Sequence, residues 1–208
     1  MGLTYTLGYN LSKLIAKTLF GFRVYGRERI IEEGGCLLAM NHESYLDPPF
    51  AGICCRRQIH YLARKTLLDW PVVGRLMPKV NVIPVDQERA DMSAIKTVIK
   101  LVRAGHCTVI FPEGSRTLDG ALMAAQPGLG LIIAKTLAPV VPMRIFGARA
   151  AFPRGGRPRI FTPVHIVVGE PIRFTKDDLV GEGRELYQRL SDRVLARISE
   201  IRDVKETA

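Results

Sequence analysis

Acidic side chains are missing from two long stretches of this 208-residue chain. Residues 1–27 carry Lys13, Lys17, Arg23 and Arg27 with no acid, and residues 120–169 carry Lys135, Arg144, Arg149, Arg154, Arg157 and Arg159, again with none. These four and six positives equal the formal net charge of +10, so the remainder balances to zero. Such an asymmetry points to an anionic partner met on one side, a phosphate-bearing lipid or a nucleic acid, unless the surface is merely basic and soluble. Aromatic residues are also few, at 7%. Only Phe146, Phe152 and Phe161 stand among the charges of the second basic stretch, too little stacking surface for a nucleic-acid groove, so no nucleic acid is expected.

The cysteines Cys36, Cys54, Cys55 and Cys107 form no C-x-x-C pair and stand at no zinc spacing with a histidine, so no metal is expected. Cys36 and Cys107 fall in apolar runs that read as strands, where a thiol behaves as a small hydrophobe, which fits a reducing setting. No run of 18 apolar residues exists and no basic, apolar, small-residue leader opens the chain; no bilayer-spanning helix is expected. G-x-S-x-G, P-loop and G-x-G-x-x-G signatures are absent too. What is present is a composition 47% hydrophobic and 24% charged, which makes a globular chain of a length one core can serve.

The chain opens with Leu3, Leu7, Leu11, Leu14, Ile15, Thr18, Leu19 and Phe22 at helical spacing, flanked by Lys13 and Lys17. This is the pattern of a helix lying in a headgroup layer, with Tyr5 and Tyr9 available for the interface; periodicity alone equally allows a helix packed on its own domain. Strand and helix signals then alternate. Strands are predicted at 22–25, 36–40, 60–63, 80–85 (at an edge or strand end because of Pro84), 107–111, 140–146 and 164–168. Helices are predicted from Pro48 with Asp47 at the N-cap, along Met92, Ile95, Val98, Ile99 and Val102 up to Gly105, over 128–136, and along Leu186, Leu190, Val194, Ile198 and Ile201. The alternation predicts an α/β domain, a sheet covered by helices.

Two segments fall at predicted strand ends, where open α/β sheets place ligands. In Asn41-His42-Glu43-Ser44-Tyr45-Leu46-Asp47, a histidine five residues before an aspartate can turn one ring nitrogen to the carboxylate and leave the other as a base. Spacing alone fits a structural histidine held by Asp47 as well. In Phe111-Pro112-Glu113-Gly114-Ser115-Arg116-Thr117, Gly114 permits close backbone approach, Arg116 offers a planar fork for a phosphate and Glu113 can accept from a hydroxyl. Glu113 and Arg116 could equally pair with each other. Ser44 and Ser115 are candidate nucleophiles only by their sequence neighbours.

In this order, with Ala63-Arg64-Lys65, Trp70 to Gly74, Val82 to Asp86, Pro127-Gly128 and Ala138 to Pro142, the segments resemble the 1-acylglycerol-3-phosphate O-acyltransferase (lysophosphatidic acid acyltransferase) family over most of the chain. The resemblance implies a mixed sheet covered by helices in the glycerol-phosphate acyltransferase-like fold, with residues 1–21 an amphipathic membrane-surface helix and 22–208 the acyltransferase domain. It implies transfer of a fatty acyl group from acyl-CoA or acyl-ACP to the sn-2 hydroxyl of lysophosphatidic acid, giving phosphatidic acid. His42 would deprotonate the hydroxyl, Asp47 would orient it, and Lys65, Arg89, Glu113, Gly114 and Arg116 would bind the glycerol phosphate. No metal or cofactor is implied, and backbone N–H groups at the helix start near Asp47 are a source of oxyanion stabilisation. The expected setting is the cytoplasmic face of the cell membrane, peripheral or monotopic, against anionic lipid. Two departures stand out: Gln87 where the family usually has arginine, and Gln126 where lysine is common. Both remove a positive charge near the acceptor phosphate. They keep open another acceptor (glycerol-3-phosphate, a lyso-ornithine lipid or another lysophospholipid), and a non-catalytic basic module binding lipid or nucleic acid is the reading from another class.

Overall fold

A computed structural model describes residues 2–69, 71–86 and 92–204. Gln87 and Arg89 lie outside the described residues. The strands β1 (Arg23–Tyr25), β2 (Cys36–Met40), β3 (Ile59–Arg64), β4 (Val82–Val85), β5 (Cys107–Ile110), β6 (Val140–Phe146) and β7 (His165–Val168) form one sheet in the order β1-β7-β6-β2-β5-β3-β4. Neighbours from β6 to β4 are parallel; β7 runs antiparallel to β6 and parallel to β1. The predicted mixed sheet is therefore the one observed. Pro84 does lie on an edge strand, β4, whose other side needs no ladder donor.

All five residues of the central β2 are buried, and they alternate between two cores. Cys36, Leu38 and Met40 join the core under α1 (Leu3–Phe20) and α2 (Asp47–Cys54), whereas Leu37 and Ala39 join the one under α4 (Met92–Arg103), α5 (Pro127–Thr136) and α7 (Gly183–Glu200). Cover on both faces is why this strand reads as an unbroken apolar run. Short helices α3 (Pro71–Leu76) and α6 (Ala148–Ala151) complete the chain; neither has the length to give a periodic signal, and neither was predicted. Because β2 to β6 are parallel, their carboxyl ends share one rim, which collects Asn41, Lys65, Asp86, Phe111 and Gly147.

The first helix packs on its own domain, but through a face other than the leucine stripe. It packs through Tyr5, Ala16 and Phe20, which are buried, while Leu3, Leu7, Leu11 and Leu14 on the opposite side are 58–78% exposed. Tyr5 and Tyr9 are thus anchors to the domain rather than interface residues: the Tyr5 hydroxyl accepts from the Ile59 N–H at 3.0 Å and the Tyr9 hydroxyl donates to the Cys55 carbonyl at 3.1 Å. Leu19 and Phe22 leave the stripe and pack against the core. Among the described residues no helix is long and apolar enough to cross a membrane.

Candidate active site

The chain leaves β2 at Met40, and Asn41 continues the ladder with its side chain. Its Nδ2 donates to the Ile145 carbonyl at 3.2 Å and its Oδ1 accepts the Ile145 N–H at 2.8 Å, so the amide mimics one more residue paired to β6. This pins the start of the turn that follows. His42 Nδ1 lies 2.7 Å from Asp47 Oδ2, and the same oxygen accepts the N–H groups of Glu43 and Ser44, each at 2.7 Å. Asp47 is fully buried, and three donors on one oxygen offset the loss of hydration.

Asp47 was expected to cap α2. Instead Leu46 is the N-cap and Asp47 the first helical residue. A forward cap needs N–H donors in the first turn, and Pro48 and Pro49 have none, so the carboxylate turns back onto the loop. The same prolines weaken the expectation of an oxyanion site at this helix start. Two further donors are also engaged: Phe50 N–H goes to the Leu46 carbonyl and Leu46 N–H to Ser44 Oγ. With Asp47 accepting at Nδ1, the tautomer assigned from these partners carries its proton there and leaves the His42 Nε2 lone pair free.

The two motifs, 71 residues apart, are laced together at the backbone of His42. Its N–H donates to Glu113 Oε1 at 2.8 Å, and its carbonyl accepts the Thr117 N–H at 2.9 Å. Glu113 Oε2 accepts the Met123 N–H at 2.8 Å, so this buried carboxylate has both oxygens in backbone bonds, and burial raises its pKa. The His42 ring stacks on Phe111 with centroids 4.0 Å apart. Ser44 is buried and its hydroxyl donates to the Phe152 carbonyl at 2.7 Å, which makes it a brace and removes it as a nucleophile.

His42, Phe111, Glu113, Gly114 and Ser115 line a cavity of about 820 Å³ walled by α4, α5 and α7. Gly114 adopts φ 74° at its turn, a conformation glycine takes at least cost, and only 3.1 Å separates the position of an added Cβ from Gln126 Cγ. The other expected acceptor residues are not at this wall. Lys65 is exposed at the same rim of the sheet, and Arg116 stacks its guanidinium 3.6 Å over the Tyr45 ring with Nη1 buried and without a hydrogen-bond partner. Conversely, Arg184 and Tyr187 of α7 line the cavity and had no signal in the sequence, being about 140 positions from His42 on an ordinary amphipathic helix. Gln126, noted only as a departure, lines it as well. A second, apolar cavity of about 340 Å³ lies between α1, α2 and β3, and Leu62 lines both. Among the described residues no cluster of three His, Cys, Asp or Glu side chains is placed to hold a metal.

Glu43, beside the histidine, is buried with Oε1 accepting the Arg149 N–H at 3.0 Å. Burial pushes its pKa up from 4.5 to about 7, and the neighbouring Asp47 carboxylate pushes the same way. A folded-state pKa above the unfolded one means the native protein holds more protons, so this contribution is full below about pH 4.5 and fades as pH rises through about 7. Glu43→Gln keeps the acceptor and removes the charge. The variant should match the parent near pH 5 and become the more stable by about 3 kcal/mol at most near pH 8. Parallel urea melts at the two pH values check this; a constant difference would contradict it.

Comparisons with known proteins agree with this architecture. A family model described as Acyltransferase matches residues 21–146. The 1-acyl-sn-glycerol-3-phosphate acyltransferase of Bacillus subtilis (strain 168) is 31% identical over 200 residues, 88% of this chain and 93% of that one. A chloroplastic 1-acyl-sn-glycerol-3-phosphate acyltransferase of Brassica napus is 29% identical over 148 residues, 70% of this chain but 43% of the plant protein. The crystal structure of the 1-acyl-sn-glycerophosphate (LPA) acyltransferase PlsC from Thermotoga maritima shares the fold at a TM-score of 0.73, covering 95% of this chain and 80% of that one at 24% identity. With the family model spanning more than half its length and a relative above 30% identity matched nearly end to end, this chain belongs to the acyltransferase family.

Proposed function

We propose that the chain moves a fatty acyl group from acyl-CoA or acyl carrier protein to the sn-2 hydroxyl of lysophosphatidic acid, giving phosphatidic acid, with His42 as general base. The observation that carries this reading is the 2.7 Å contact between His42 Nδ1 and the buried Asp47 carboxylate, on the wall of a cavity large enough for both reacting groups. His42 Nε2 takes the proton of the acceptor hydroxyl as its oxygen attacks the thioester carbonyl; the carbon–sulfur bond then breaks and the thiolate recovers the proton from the imidazolium. Asp47 keeps the ring oriented and stabilises its charged form. Donors for the transient oxyanion come from the N–H groups of Ser115 and Gly128, which line the same cavity; the Gly114 N–H is held by the Phe111 carbonyl and Pro127 has none. Glu113 acts as a positioning residue through the His42 backbone. Arg116, once its guanidinium turns from the Tyr45 ring, takes the acceptor phosphate together with Lys65, and with Arg89, outside the described residues.

The apolar cavity between α1, α2 and β3, which has Leu62 in common with the lining of the first cavity, suits the acyl chain. The exposed leucines of α1 suit a lipid surface, so residues 1–21 serve as the membrane-facing element and 22–208 as the transferase body, at the cytoplasmic face. No cofactor or metal is needed, since a thioester is already activated.

Purified protein given lysophosphatidic acid with acyl-CoA or acyl-ACP should release free thiol, followed with a thiol reagent, and form phosphatidic acid. If no thiol is released with either donor, this reading ends. Gln126, a neutral residue on the cavity wall, favours testing a second acceptor class in parallel. A phosphate-dependent enzyme ignores a phosphate-free lyso-lipid, whereas turnover of lyso-ornithine lipid with none of lysophosphatidic acid moves the assignment to that acceptor.

A further inference from the structure

Among the described residues, Phe161 is strained and exposed at once. Phe161 has φ 64°, in the left-handed region that side chains with a Cβ avoid, and the residue is 74% exposed. Its N–H donates to the Leu19 carbonyl at 2.6 Å, and three residues later the Val164 N–H donates to the Phe20 carbonyl at 3.0 Å. The strained turn is therefore tied to the last turn of α1. Ile160 beside it is 51% exposed. A folded domain gains nothing by forcing a large aromatic into a costly backbone state only to show its ring to water, so the strain points to something outside the chain.

The surroundings say what that is. Arg154, Arg157 and Arg159 are exposed just before the apolar pair, in a stretch with no acid. Along α1 the exposed Leu3, Leu7, Leu11 and Leu14 form a stripe about 17 Å long, with Lys13 and Lys17 exposed beside it. Apolar tips with arginine and lysine at their base match a layer of acyl chains under anionic headgroups.

We propose that Ile160 and Phe161 form a second membrane anchor, which inserts beside α1 and fixes the rotation of the domain on an anionic lipid surface, with Arg154, Arg157 and Arg159 in the phosphate layer. One helix alone leaves the domain free to roll about its axis; a second contact beside the helix end stops it. The anchor rests on the reading of α1 as the membrane-facing element.

The test uses the full chain and phosphatidylcholine vesicles with and without phosphatidylglycerol. Phe161→Gly removes the ring and relieves the strain, so thermal stability should hold or rise while binding to the anionic vesicles weakens about tenfold, the loss of one buried aromatic contact. The four native cysteines are buried, which allows an environment-sensitive dye to be placed selectively on Phe161→Cys and, as a control, on Val180→Cys. Dye at 161 should shift to the blue on anionic vesicles and dye at 180 should not. If the parent binds and the 161 dye stays in water, or Phe161→Gly binds unchanged, the second anchor is overturned while α1 keeps its role. If the parent binds neither vesicle, or if Leu7→Asp with Leu11→Asp leaves binding intact, the reading of α1 fails and takes the anchor with it.

Discussion

Replacing His42 with alanine should lower kcat for acyl transfer by about 10²–10⁴-fold, the worth of general-base help, and change KM for the acceptor little. The fold should survive. His42 is held by a ring stack on Phe111 and one bond to Asp47, and the backbone bonds to Glu113 and Thr117 do not need the imidazole. Asp47→Asn should behave differently, and the contrast separates a base from a scaffold. Asp47 Oδ2 gathers the ring and two backbone N–H groups in a fully buried place. An amide there keeps one acceptor oxygen for these donors and puts its NH₂ where Asp47 Oδ1 stands, buried without a partner. Activity and melting temperature should fall together, the stability loss being about 1–3 kcal/mol for the buried NH₂ left unpaired. Measuring kcat, KM and thermal melts on both variants decides the matter. If His42→Ala retains parental kcat at an unchanged melting temperature, the histidine is a structural one after all.

The segments the sequence exposed were those with a local signal. The strands described were all found, most of them as short apolar runs ended by a polar or turn residue; of the edge or strand end that Pro84 allowed, β4 takes the edge. Boundaries slipped where geometry is decided by neighbours. Met77–Val80 forms a 3₁₀ turn ended by Asn81 at φ 61°, so β4 starts at Val82 rather than at Val80. The spacing of His42 and Asp47 was visible, but the backward turn of the carboxylate was not, since it depends on Pro48 and Pro49 having no N–H to offer. Arg184 and Tyr187 illustrate the other limit: they reach the cavity only because α7 packs against α5, a contact with no mark in local sequence. For α1 the stripe was legible and its direction was not. A helix with tyrosine, alanine and phenylalanine on one side and leucine on the other has two apolar faces, and only the anchoring of Tyr5 and Tyr9 shows which one is left outside.

The α5–α7 contact leads to the largest expected effect on stability, from a single methyl group. Gly130 lies in mid-helix, where glycine costs about 1 kcal/mol against alanine, so propensity alone predicts that Gly130→Ala stabilises the protein. Packing reverses the sign. A Cβ at this position would stand 1.8 Å from the Tyr187 carbonyl oxygen and 2.6 Å from its carbon, both backbone atoms of α7 that cannot rotate away. The two helices must part, and the bond from Gly130 N–H to the fully buried Ser191 hydroxyl, now 2.8 Å, stretches with them. Overpacking and the strained buried bond together should cost about 3 kcal/mol or more, lowering the melting temperature by roughly 6–12 °C for a domain of this size. The consequence reaches the site, because the first turn of α5 supplies Pro127 and Gly128 to the cavity wall and α7 supplies Arg184 and Tyr187. Gly130→Ala should therefore also raise KM for the acceptor, whereas Ser191→Ala, which removes the hydroxyl without parting the helices, should lose stability with KM near parental. Melts and steady-state kinetics on the two variants distinguish these effects; a Gly130→Ala protein as stable as the parent would mean that α5 and α7 do not approach this closely.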